Sequence, residues 1–540
     1  MQVYSGQWKA GFLDYPLVNR AVRIKVHSWR NVMPVTGQYF ERPLNWRMPL
    51  DYLREVGLRT VVSKIVSRLS ERGRNRKYVS VGVGSVLESS AEAVAAGQRV
   101  LFVAPNHPAA VDRLVIHEDL IRVIDDDHRA HDNSPRFVVG SMDASGEVSD
   151  AANQVAGWEP WSGAALSQHA VDTLLTFAES PAFMSRQGLT EIVPPVDDGP
   201  VRERSMSTPY TAAADKPSIA VFGFGNYVKT ITLPALSAWC EIRAIHELDP
   251  LQIGRQTKTR ICWDTSPGLR PDERYDAIVV AGFHHHHAPI AIQALRDNAY
   301  VLVEKPIATT TGQVRELSAT LRASGRSRLV AGFQRRFLPC NRSLRQDLGL
   351  GLSDPFACYA IVYEVPLPMR HWYRWPNSRS RILSNACHWL DHFMFLNDFV
   401  SVRDADARRL VNGDFVISTE LSNGSTFVLV LTEKGSPRLG LRDHVEFRSD
   451  YGTAQLQDGR RYIAESKSRI VKRQAWTRVE PYKLMYRDFA RRVISGEAGD
   501  SPDTLASSEL AARLDEQIVS CFPDVVATFM EPIDSGERPN

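Results

Sequence analysis

The sequence has few cysteines, no long apolar run and almost no net charge. Six cysteines occur in 540 residues, none of them before Cys240, and no two form a CxxC pair. This scarcity argues against a disulfide framework and against a cysteine-ligated zinc site. No stretch approaches the roughly 18 uninterrupted apolar residues of a membrane span, and the first residues lack a basic segment followed by an apolar core. We therefore expect a cytoplasmic protein with reduced thiols.

The charge balance does not favour a polyanionic partner. The formal net charge is +3, and the arginines are spread along the chain. Hydrophobic residues make up 43% and charged residues 24%, which is ordinary for a globular protein of two to four domains. We expect a small-molecule partner, and neither nucleic acid nor membrane.

The front half of the chain contains short β-rich runs. Between residues 78 and 127 these runs are separated by Gly, Pro, Asn and Ser turns, which predicts a small β-barrel or sandwich rather than a βαβ unit. Residues 194 to 216 are polar and rich in Pro, Ser and Asp, as linkers are. The sequence therefore predicts an N-terminal domain over residues 1–193 and a linker over 194–216.

A glycine-rich turn follows the linker. The apolar strand SIAVF from residue 218 leads into Gly223 and Gly225, with Asn226 and Tyr227 opening a helical pattern. The first glycine permits a sharp turn, and the second lets a pyrophosphate approach backbone amides at a helix N-terminus. Val228 stands where a third glycine is usual, and that position mainly governs helix-to-strand packing. The fingerprint is weakened by this exchange without being abolished.

An acidic residue ends the second predicted strand. Glu247 lies 24 residues beyond Gly223, where a carboxylate would bind the adenosine ribose hydroxyls. Because it would repel a 2′-phosphate, NAD is favoured over NADP. Predicted strands and helices alternate up to residue 338, with helices beginning at about residues 288 and 311. This alternation predicts an α/β fold with a doubly wound parallel sheet, which is the NAD-binding Rossmann domain of residues 217–338. Its ligands should lie at the carboxyl ends of the strands.

Three motifs occur in order from residue 304 onward. Glu304-Lys305-Pro306 follows a strand, VAGFQRRFLP begins at residue 330, and CHWLD carries His388 and Asp391 in HxxD spacing. Together they resemble the motifs of the Gfo/Idh/MocA family, the relatives of glucose-fructose oxidoreductase and inositol dehydrogenase. The resemblance covers roughly residues 217 to 530. It implies a Rossmann domain followed by an α+β domain with a mostly antiparallel sheet over residues 339–530, a tail over 531–540, and a homo-oligomer formed through that sheet.

A narrower resemblance concerns the front half. The segment around LPMRHWYRWP is similar to bi-domain members of the family, which carry an N-terminal region related to medium-chain alcohol dehydrogenases. Residues 78–127 resemble the β-rich GroES-like fold of that group. No second glycine fingerprint occurs between residues 128 and 193, and no N-terminal cysteine could ligate zinc. The front half is therefore interpreted as a GroES-like remnant that shapes, covers or assembles the site.

Lys305 is the predicted catalytic residue. A lysine at a strand end beside a nicotinamide can exchange a proton at the carbon–heteroatom bond being reduced, and partial burial should lower its pKa. The alternative is a surface lysine before a turn proline. The family resemblance implies that the lysine assists catalysis and that Pro306, often in a cis bond, positions it. Glu304 and Pro306, on either side of Lys305, are predicted to contact the cofactor.

His388 and Asp391 lie three residues apart, and hence on one face of a helix. The resemblance implies substrate contact or proton relay for them. Helix packing is one alternative, and metal binding with His392 is a weaker one, so no metal is predicted. The family pattern places an acid four residues before the histidine, where this chain has Ser384, which leaves the relay open. Asn385 is a candidate substrate contact.

Four consecutive histidines occupy residues 284–287 at the start of a predicted helix. His287 matches the histidine of the loop ATPNxxHAP in the family. The helix dipole and mutual repulsion both disfavour protonation, so the rings should be neutral at pH 7. His284 and His287 are the predicted cofactor contacts.

Substrate contacts are also predicted in two arginine- or tryptophan-containing segments. Arg336 lies in the RRF segment, and His371 and Trp372 lie in the bi-domain-like HW segment. An arginine near a pocket suits carboxylate or phosphate groups, and a surface ion pair is its alternative.

Together these features predict an NAD(P)-dependent oxidoreductase. It would transfer hydride to or from a C–OH or C–N carbon of a small polar substrate, such as a sugar, cyclitol, nucleotide sugar or specialised-metabolite intermediate. An imine reductase using the same groups is one alternative. A non-catalytic dinucleotide or sugar sensor, like the family's galactose-pathway repressors, is the other.

Overall fold

A computed structural model describes most of the chain from residue 216 onward and parts of the chain before it. The described residues are 2–5, 21–32, 79–105, 113–124, 136–139, 172, 175–176, 190–192, 216–247, 259–262, 274–351, 353–366, 373, 378–435 and 441–522. His371, Trp372 and nearly all of the predicted linker lie outside them.

The described part of the front half forms a β-sheet. Its strands are β1 (Gln2–Ser5), β2 (Ala21–Val32), β3 (Val79–Ser89), β4 (Arg99–Pro105), β5 (Arg113–His117), β6 (Ile121–Ile124), β7 (Arg136–Val139) and β8 (Thr190–Ile192). The order is β6-β4-β3-β2-β7-β1-β8, and β5 also pairs with β2. The pairs β2–β3, β3–β4 and β4–β6 are antiparallel, so the β-rich prediction for residues 78–127 is confirmed. The GroES-like assignment and the domain bounds stay predictions.

A six-stranded parallel sheet follows. It contains β9 (Ser218–Phe222), β10 (Glu241–His246), β11 (Arg260–Cys262), β12 (Ala277–Val280), β13 (Tyr300–Glu304) and β14 (Leu329–Gly332). The order β11-β10-β9-β12-β13-β14 is that of a Rossmann fold, with neighbouring strands all parallel. Every residue of β9, β12, β13 and β14 is buried, which explains their uninterrupted apolar sequences. The predicted Rossmann sheet is confirmed.

Helices cover both faces of this sheet. A π-helical segment, Val228–Thr232, continues into α1 (Leu233–Leu236), and α2 (His287–Arg296) and α3 (Thr311–Ala323) follow later strands. The helices predicted from about residues 288 and 311 are confirmed. Alternate residues of β9 enter opposite cores: Ala220 and Phe222 pack with α2 and α3 on one side, and Ile219 and Val221 pack on the other.

The last part of the described chain forms a second, larger sheet with helices. After α4 (Leu344–Asp347) come β15 (Ala357–Tyr363), a π-helical segment (Ile382–Ala386), α5 (Cys387–Leu396), β16 (Val402–Arg409), β17 (Phe415–Leu421), β18 (Thr426–Thr432), β19 (Arg442–Arg448), β20 (Gly452–Gln457), β21 (Arg461–Ser466), β22 (Arg469–Ala475), α6 (Glu480–Ser495) and α7 (Ala506–Cys521). The sheet order is β16-β17-β18-β15-β19-β20-β21-β22. Only the β15–β18 pair is parallel among the described pairs, so the predicted mostly antiparallel sheet is confirmed.

The two α/β units share their cores. Met485, Tyr486 and Phe489 of α6 pack into the Rossmann core, although α6 follows the antiparallel sheet in sequence. The π-helical segment before α5 in turn meets the carboxyl end of β13. The strand ends of the Rossmann sheet and the start of α5 therefore form one site. In the described part of the chain, no helix combines the length and apolarity needed to cross a membrane.

Candidate active site at the carboxyl ends of the Rossmann strands

The glycine turn after β9 has no room for a side chain at its first position. Gly223 has φ +90°, and its N–H donates to the carbonyl of His246 at 2.8 Å. A Cβ added at Gly223 would lie 2.5 Å from the Cα of Gly282. A Cβ added at Gly225 would meet no protein atom within 4 Å. The first glycine is thus required by the fold, whereas the second faces open space, as a pyrophosphate-binding position should.

Glu247, at the end of the second strand of this sheet, binds the glycine turn. It follows β10, is buried, and accepts a hydrogen bond from the backbone N–H of Phe224 at 2.6 Å. This contact ties the carboxylate to the glycine turn and places it where the ribose-binding acid of a Rossmann fold lies. Its predicted contact with a ribose stays a prediction.

Glu304 is held in a buried hydroxyl network. The phenols of Tyr227 and Tyr486 both donate to its Oε1, Tyr227 at 2.9 Å, and the Tyr486 hydroxyl lies 2.8 Å from Thr232 Oγ1. Burial raises the pKa of Glu304, against the lowering effect of the two phenols. The network joins β13, the helix after the glycine turn, and α6. It therefore favours a structural role for Glu304 and for the hydroxyl of Tyr227 over the predicted cofactor contacts.

Lys305 lies at the end of β13, partly buried, before a cis peptide bond to Pro306. Its Nζ donates to the carbonyl of Ser384 at 2.8 Å and lies 5.5 Å from the ring centroid of Tyr373. Desolvation disfavours the ammonium, but the acidic groups of Tyr373, Cys387, Tyr482 and Glu304 outweigh it, and the pKa of Lys305 is raised. Burial does lower the pKa of Lys305 as predicted, but the net shift is upward, so the expected shift toward working pH is wrong. The lysine is charged at neutral pH.

The side chains around Lys305, which we call the Lys305 cluster, include His388, and this histidine is neutral. It lies in the first turn of α5, and burial, followed by the charges of Lys305 and Arg335, holds its pKa well below the ordinary value. Its Nδ1 is buried and has no hydrogen-bond partner among the described residues. Next to it, burial raises the pKa of the Cys387 thiol to about 12, so this thiol is also neutral. An uncharged ring with an unused nitrogen can take a hydrogen bond from, or give one to, a bound substrate.

Asp391 and Arg336 are paired with each other. Asp391 is fully buried and receives two hydrogen bonds from Arg336, at 3.0 and 2.7 Å, and one from Ser507 at 2.6 Å. Arg336 also contacts Asp500 at 3.2 Å. A bidentate buried pair holds both partners in one geometry. These contacts give each residue structural partners, and the predicted catalytic role of Asp391 and substrate contact of Arg336 stay predictions.

The four histidines are all buried, and two of them reach the site. His284–His286 form a short 3₁₀ turn that continues into α2. Nδ1 of His287 lies 2.7 Å from the carbonyl of Pro306, and its Nε2 lies 3.1 Å from that of Gly282. Burial lowers the pKa of His287 to about 4, against these carbonyl contacts. The predicted neutrality is confirmed for this ring, with burial as the main cause. The ring connects the end of β12 to the Lys305–Pro306 peptide.

The ring of His284 lies against the Lys305 cluster. Its centroid is 4.7 Å from that of Tyr373, the ring that lies near the lysine ammonium. Its predicted cofactor contact stays a prediction.

Arg335, the neighbour of Arg336 in the RRF segment, packs between α5 and the antiparallel sheet. The guanidinium of Arg335 lies 4.3 Å from the ring centroid of Trp389 and donates to Asp443, which also accepts from Trp389 Nε1 at 2.9 Å. Arg335 is 6% exposed, and its Nη1 has no hydrogen-bond partner among the described residues. Tyr486, Tyr373 and Asp443 could not be found from the sequence, because each lies far along the chain from the group that it contacts.

The remaining predicted residues have mixed outcomes. Nε2 of His392 lies 2.9 Å from Asn341 Oδ1, a contact that suits helix packing and leaves that nitrogen to an amide. Asn385 lies in the π-helical segment beside Ser384, and its predicted substrate contact stays a prediction. Within the described ranges, no three His, Cys, Asp or Glu side chains are grouped as metal ligands would be.

Comparison with known proteins identifies the nucleotide-binding part. Residues 218–333 match the profile of the Gfo/Idh/MocA oxidoreductase family, NAD-binding Rossmann fold. The matched segment begins at β9 and ends just after β14. The strand order, the glycine turn and this match together establish an NAD-binding Rossmann domain.

Curated relatives match over a short part of the chain. Inositol 2-dehydrogenase 1 of Saccharopolyspora erythraea is 33% identical over 91 residues, which are 17% of this chain and 27% of the relative. An inositol 2-dehydrogenase of Acidothermus cellulolyticus is 30% identical over 115 residues, 21% of this chain and 33% of the relative. The chain thus spans about a third or less of the length of these relatives.

Solved structures are similar over a longer part of the chain. A myo-inositol dehydrogenase from Lactobacillus casei, in complex with NAD(H) and myo-inositol, is 16% identical, with a TM-score of 0.45, and the match covers 56% of this chain and 94% of that one. A 3-ketoreductase from Actinomadura kijaniata, in complex with NADP and TDP-benzene, is 20% identical, with a TM-score of 0.46. This match covers 56% of this chain and 96% of that one.

Proposed function

We propose that this chain is an NAD-dependent oxidoreductase that transfers hydride to or from a C–OH carbon of a small polyhydroxylated substrate. The observation that carries the proposal is the position of Lys305. Its charged ammonium lies at the carboxyl end of a central Rossmann strand, beside a neutral histidine whose Nδ1 has no partner among the described residues. Ligands of this fold bind at that edge of the sheet.

The residues present fit the cofactor. The open space at Gly225 and the amides of the following helix would receive the pyrophosphate, and Glu247 would receive the adenosine ribose. The carboxylate of Glu247 favours NAD over NADP, because it would repel a 2′-phosphate. When bound, NAD supplies or accepts the hydride.

Lys305 would act as a charged hydrogen-bond donor. Because its pKa is raised, the ammonium can donate to the carbonyl oxygen of the oxidised substrate and stabilise the negative charge that develops there during reduction. The bond to the Ser384 carbonyl fixes the direction of the side chain. His388 would hydrogen-bond the same or a neighbouring substrate hydroxyl through its Nδ1.

The substrate class is supported by the chemistry of the site. The described site offers neutral hydrogen-bond donors and acceptors and the ammonium of Lys305. These groups suit the hydroxyl groups of a substrate better than an anionic group or a large apolar group. Sugars, cyclitols and nucleotide sugars meet this description, and several relatives of the Rossmann segment are named inositol 2-dehydrogenases. Imine reduction would use the same groups, with the ammonium donating to nitrogen.

A test follows the absorbance of NADH with myo-inositol, other cyclitols, hexoses and nucleotide sugars in both directions. With a substrate that reacts, Lys305→Ala should lower kcat/KM by on the order of 10²- to 10⁴-fold, because it removes the charged hydrogen-bond donor that stabilises the developing negative charge. Lys472→Ala, on the edge strand β22, is the matched control and should leave the rate unchanged. An unchanged rate in Lys305→Ala would exclude the catalytic role. NAD binding without turnover of any candidate would favour a dinucleotide sensor.

A further inference from the structure

A second carboxyl group, beyond those considered so far, belongs to the Lys305 cluster. Glu364 directly follows β15, and its backbone N–H donates to the carbonyl of Thr432 at 2.8 Å. The residue is 3% exposed. The ammonium of Lys305 is near enough to lower its pKa, and the thiol of Cys387 is influenced by both groups. Glu364 accepts from Arg381, which precedes the π-helical segment, and the Ser384 carbonyl of that segment accepts from Lys305, so Glu364 and Lys305 contact the same short segment from different sheets.

Only one oxygen of this carboxyl group has a partner. Oε2 of Glu364 accepts from Arg381 Nε at 2.5 Å, whereas Oε1 is buried and has no hydrogen-bond partner among the described residues. The charged groups facing Glu364 are Arg381 from the start of the π-helical segment, Glu433 beyond β18, which lies 3.5 Å from Arg381, and Lys305. A buried acceptor left without a partner costs free energy unless a ligand or water satisfies it.

Alcohol oxidation needs a proton acceptor, and the described residues discussed so far do not supply one at neutral pH. When hydride leaves the carbon, the hydroxyl O–H bond breaks, and its proton must go to a base. Lys305 already carries its proton, and His388 is a weak base because its pKa is well below the ordinary value. Position 384, four residues before His388, is a serine. Burial, assisted by Glu433 and opposed by Arg381 and Lys305, raises the pKa of Glu364 to about 7, which suits a base working near neutral pH.

We propose that Oε1 of Glu364 accepts the substrate hydroxyl proton during oxidation and returns it during reduction. This inference rests on the proposed function. The step balances: the substrate loses a hydride to NAD⁺ and a proton to the carboxylate, the carbonyl double bond forms, and the carboxylic acid later releases its proton to solvent. Arg381 holds the other oxygen, so the carboxyl group presents Oε1 in a fixed direction. In this site Lys305 is a permanently charged hydrogen-bond donor, and Glu364 is a titrating proton acceptor.

The first test needs no substrate. NAD⁺ brings a positive charge to the Lys305 cluster, which should lower the pKa of Glu364 and release up to about half a proton at pH 7. Proton release is measured by calorimetric titration of the full chain with NAD⁺ in two buffers of different ionisation enthalpy. Glu364→Gln should abolish the release while still binding NAD⁺. Glu433→Gln, which removes a neighbouring acid on the same arginine, should retain it.

The second test is the pH profile of oxidation with the most reactive alcohol of the substrate panel. In wild type, kcat should fall about tenfold per pH unit below pH 7, because the base becomes protonated. Glu433→Gln should show the same fall at a somewhat lower pH, because Glu433 helps to raise the pKa of Glu364. In Glu364→Gln, kcat should be at least tenfold lower and its pH dependence near 7 should be lost, with KM changed less than kcat.

These outcomes separate the two proposals. Proton release in Glu364→Gln equal to that of wild type, or an unchanged pH profile, would overturn the role of Glu364 and leave the oxidoreductase proposal standing. No heat of NAD⁺ binding in wild type would overturn the proposed function and this inference with it. A lower melting temperature of Glu364→Gln together with a wild-type pH profile would show that the carboxyl group only anchors Arg381.

Discussion

Burial lowers the pKa of both basic side chains at the Lys305–Pro306 peptide, but the net shifts are opposite. Acidic groups around Lys305 outweigh its desolvation, so its pKa rises. The hydrogen-bond partners of His287 are backbone carbonyls, desolvation prevails over them, and its pKa falls to about 4. A neutral ring donates one proton, and the shorter contact favours donation from Nδ1 to Pro306. His287 therefore positions the peptide that carries Lys305.

The pH dependence of stability should report on His287. Its pKa is lower in the folded chain, about 4, than the 6.5 of an unfolded histidine, so the unfolded state binds more protons between these values. Stability from this residue is complete above pH 6.5 and is lost as the pH falls through 4, by up to about 3 kcal/mol. His287→Asn should flatten the curve of unfolding free energy between pH 4 and 6.5, measured by urea denaturation. A slope in His287→Asn equal to that of the wild type would contradict the assignment.

At the scale of elements, the cofactor site depends on the close approach of two strand ends. The turn after β9 crosses the end of β12 with no space for a Cβ, as the contact between Gly223 and Gly282 shows. The N–H of Ala281 also donates to the carbonyl of Phe222 at 2.8 Å. Parallel strands in adjacent positions bring these ends together, and the glycine lets the chain turn at once into the following helix.

Two glycine variants should separate folding from cofactor binding. Gly223→Ala places a Cβ 2.5 Å from Gly282 and puts alanine at φ +90°. We expect the free energy of unfolding to fall by roughly 1–3 kcal/mol and NAD⁺ binding to be lost. Gly225→Ala adds a Cβ that meets no protein atom within 4 Å, so its melting temperature should be unchanged while its NAD⁺ affinity falls at least tenfold. Melting curves and calorimetric NAD⁺ titration measure both. Undiminished affinity in Gly225→Ala would show that the pyrophosphate lies elsewhere.

At the scale of the whole molecule, the antiparallel sheet has one covered and one open face. On β15, Cys358, Ala360 and Val362 are buried in the core with α5, whereas Tyr359 and Ile361 are 46% and 57% exposed. Large apolar side chains in the middle of an open sheet are typical of a protein–protein interface. They support the predicted homo-oligomer through this sheet, which stays a prediction.

The oligomer prediction is tested with a charge at the centre of that face. Ile361→Glu would place a buried carboxylate in the interface and should convert the wild-type oligomer to monomer, measured by size-exclusion chromatography with light scattering. Arg408→Glu, on the edge strand β16, should keep the wild-type mass. A monomeric wild type would contradict the prediction.

The sequence by itself determined the Rossmann domain, since its signals are local. Strand periodicity, the turn at Gly223 and the cis peptide at Pro306 each depend on neighbouring residues. The order of strands and helices then fixes a parallel sheet with its ligand edge at Lys305. The predicted neutrality of His287 also followed from its own segment, although burial proved to be the larger cause.

Only the tertiary structure decided which polar groups are partners. Asp391 and Arg336 were predicted to act on substrate, but helix packing brings them within hydrogen-bond distance of each other. Tyr486, 182 residues from Glu304, completes the network on that acid, and Glu364 reaches Lys305 from another sheet. The choice of a partner, and with it the pKa of each buried group, depends on how distant elements pack. Spacing along the chain does not encode it, because a buried side chain responds to whichever charges surround it in space.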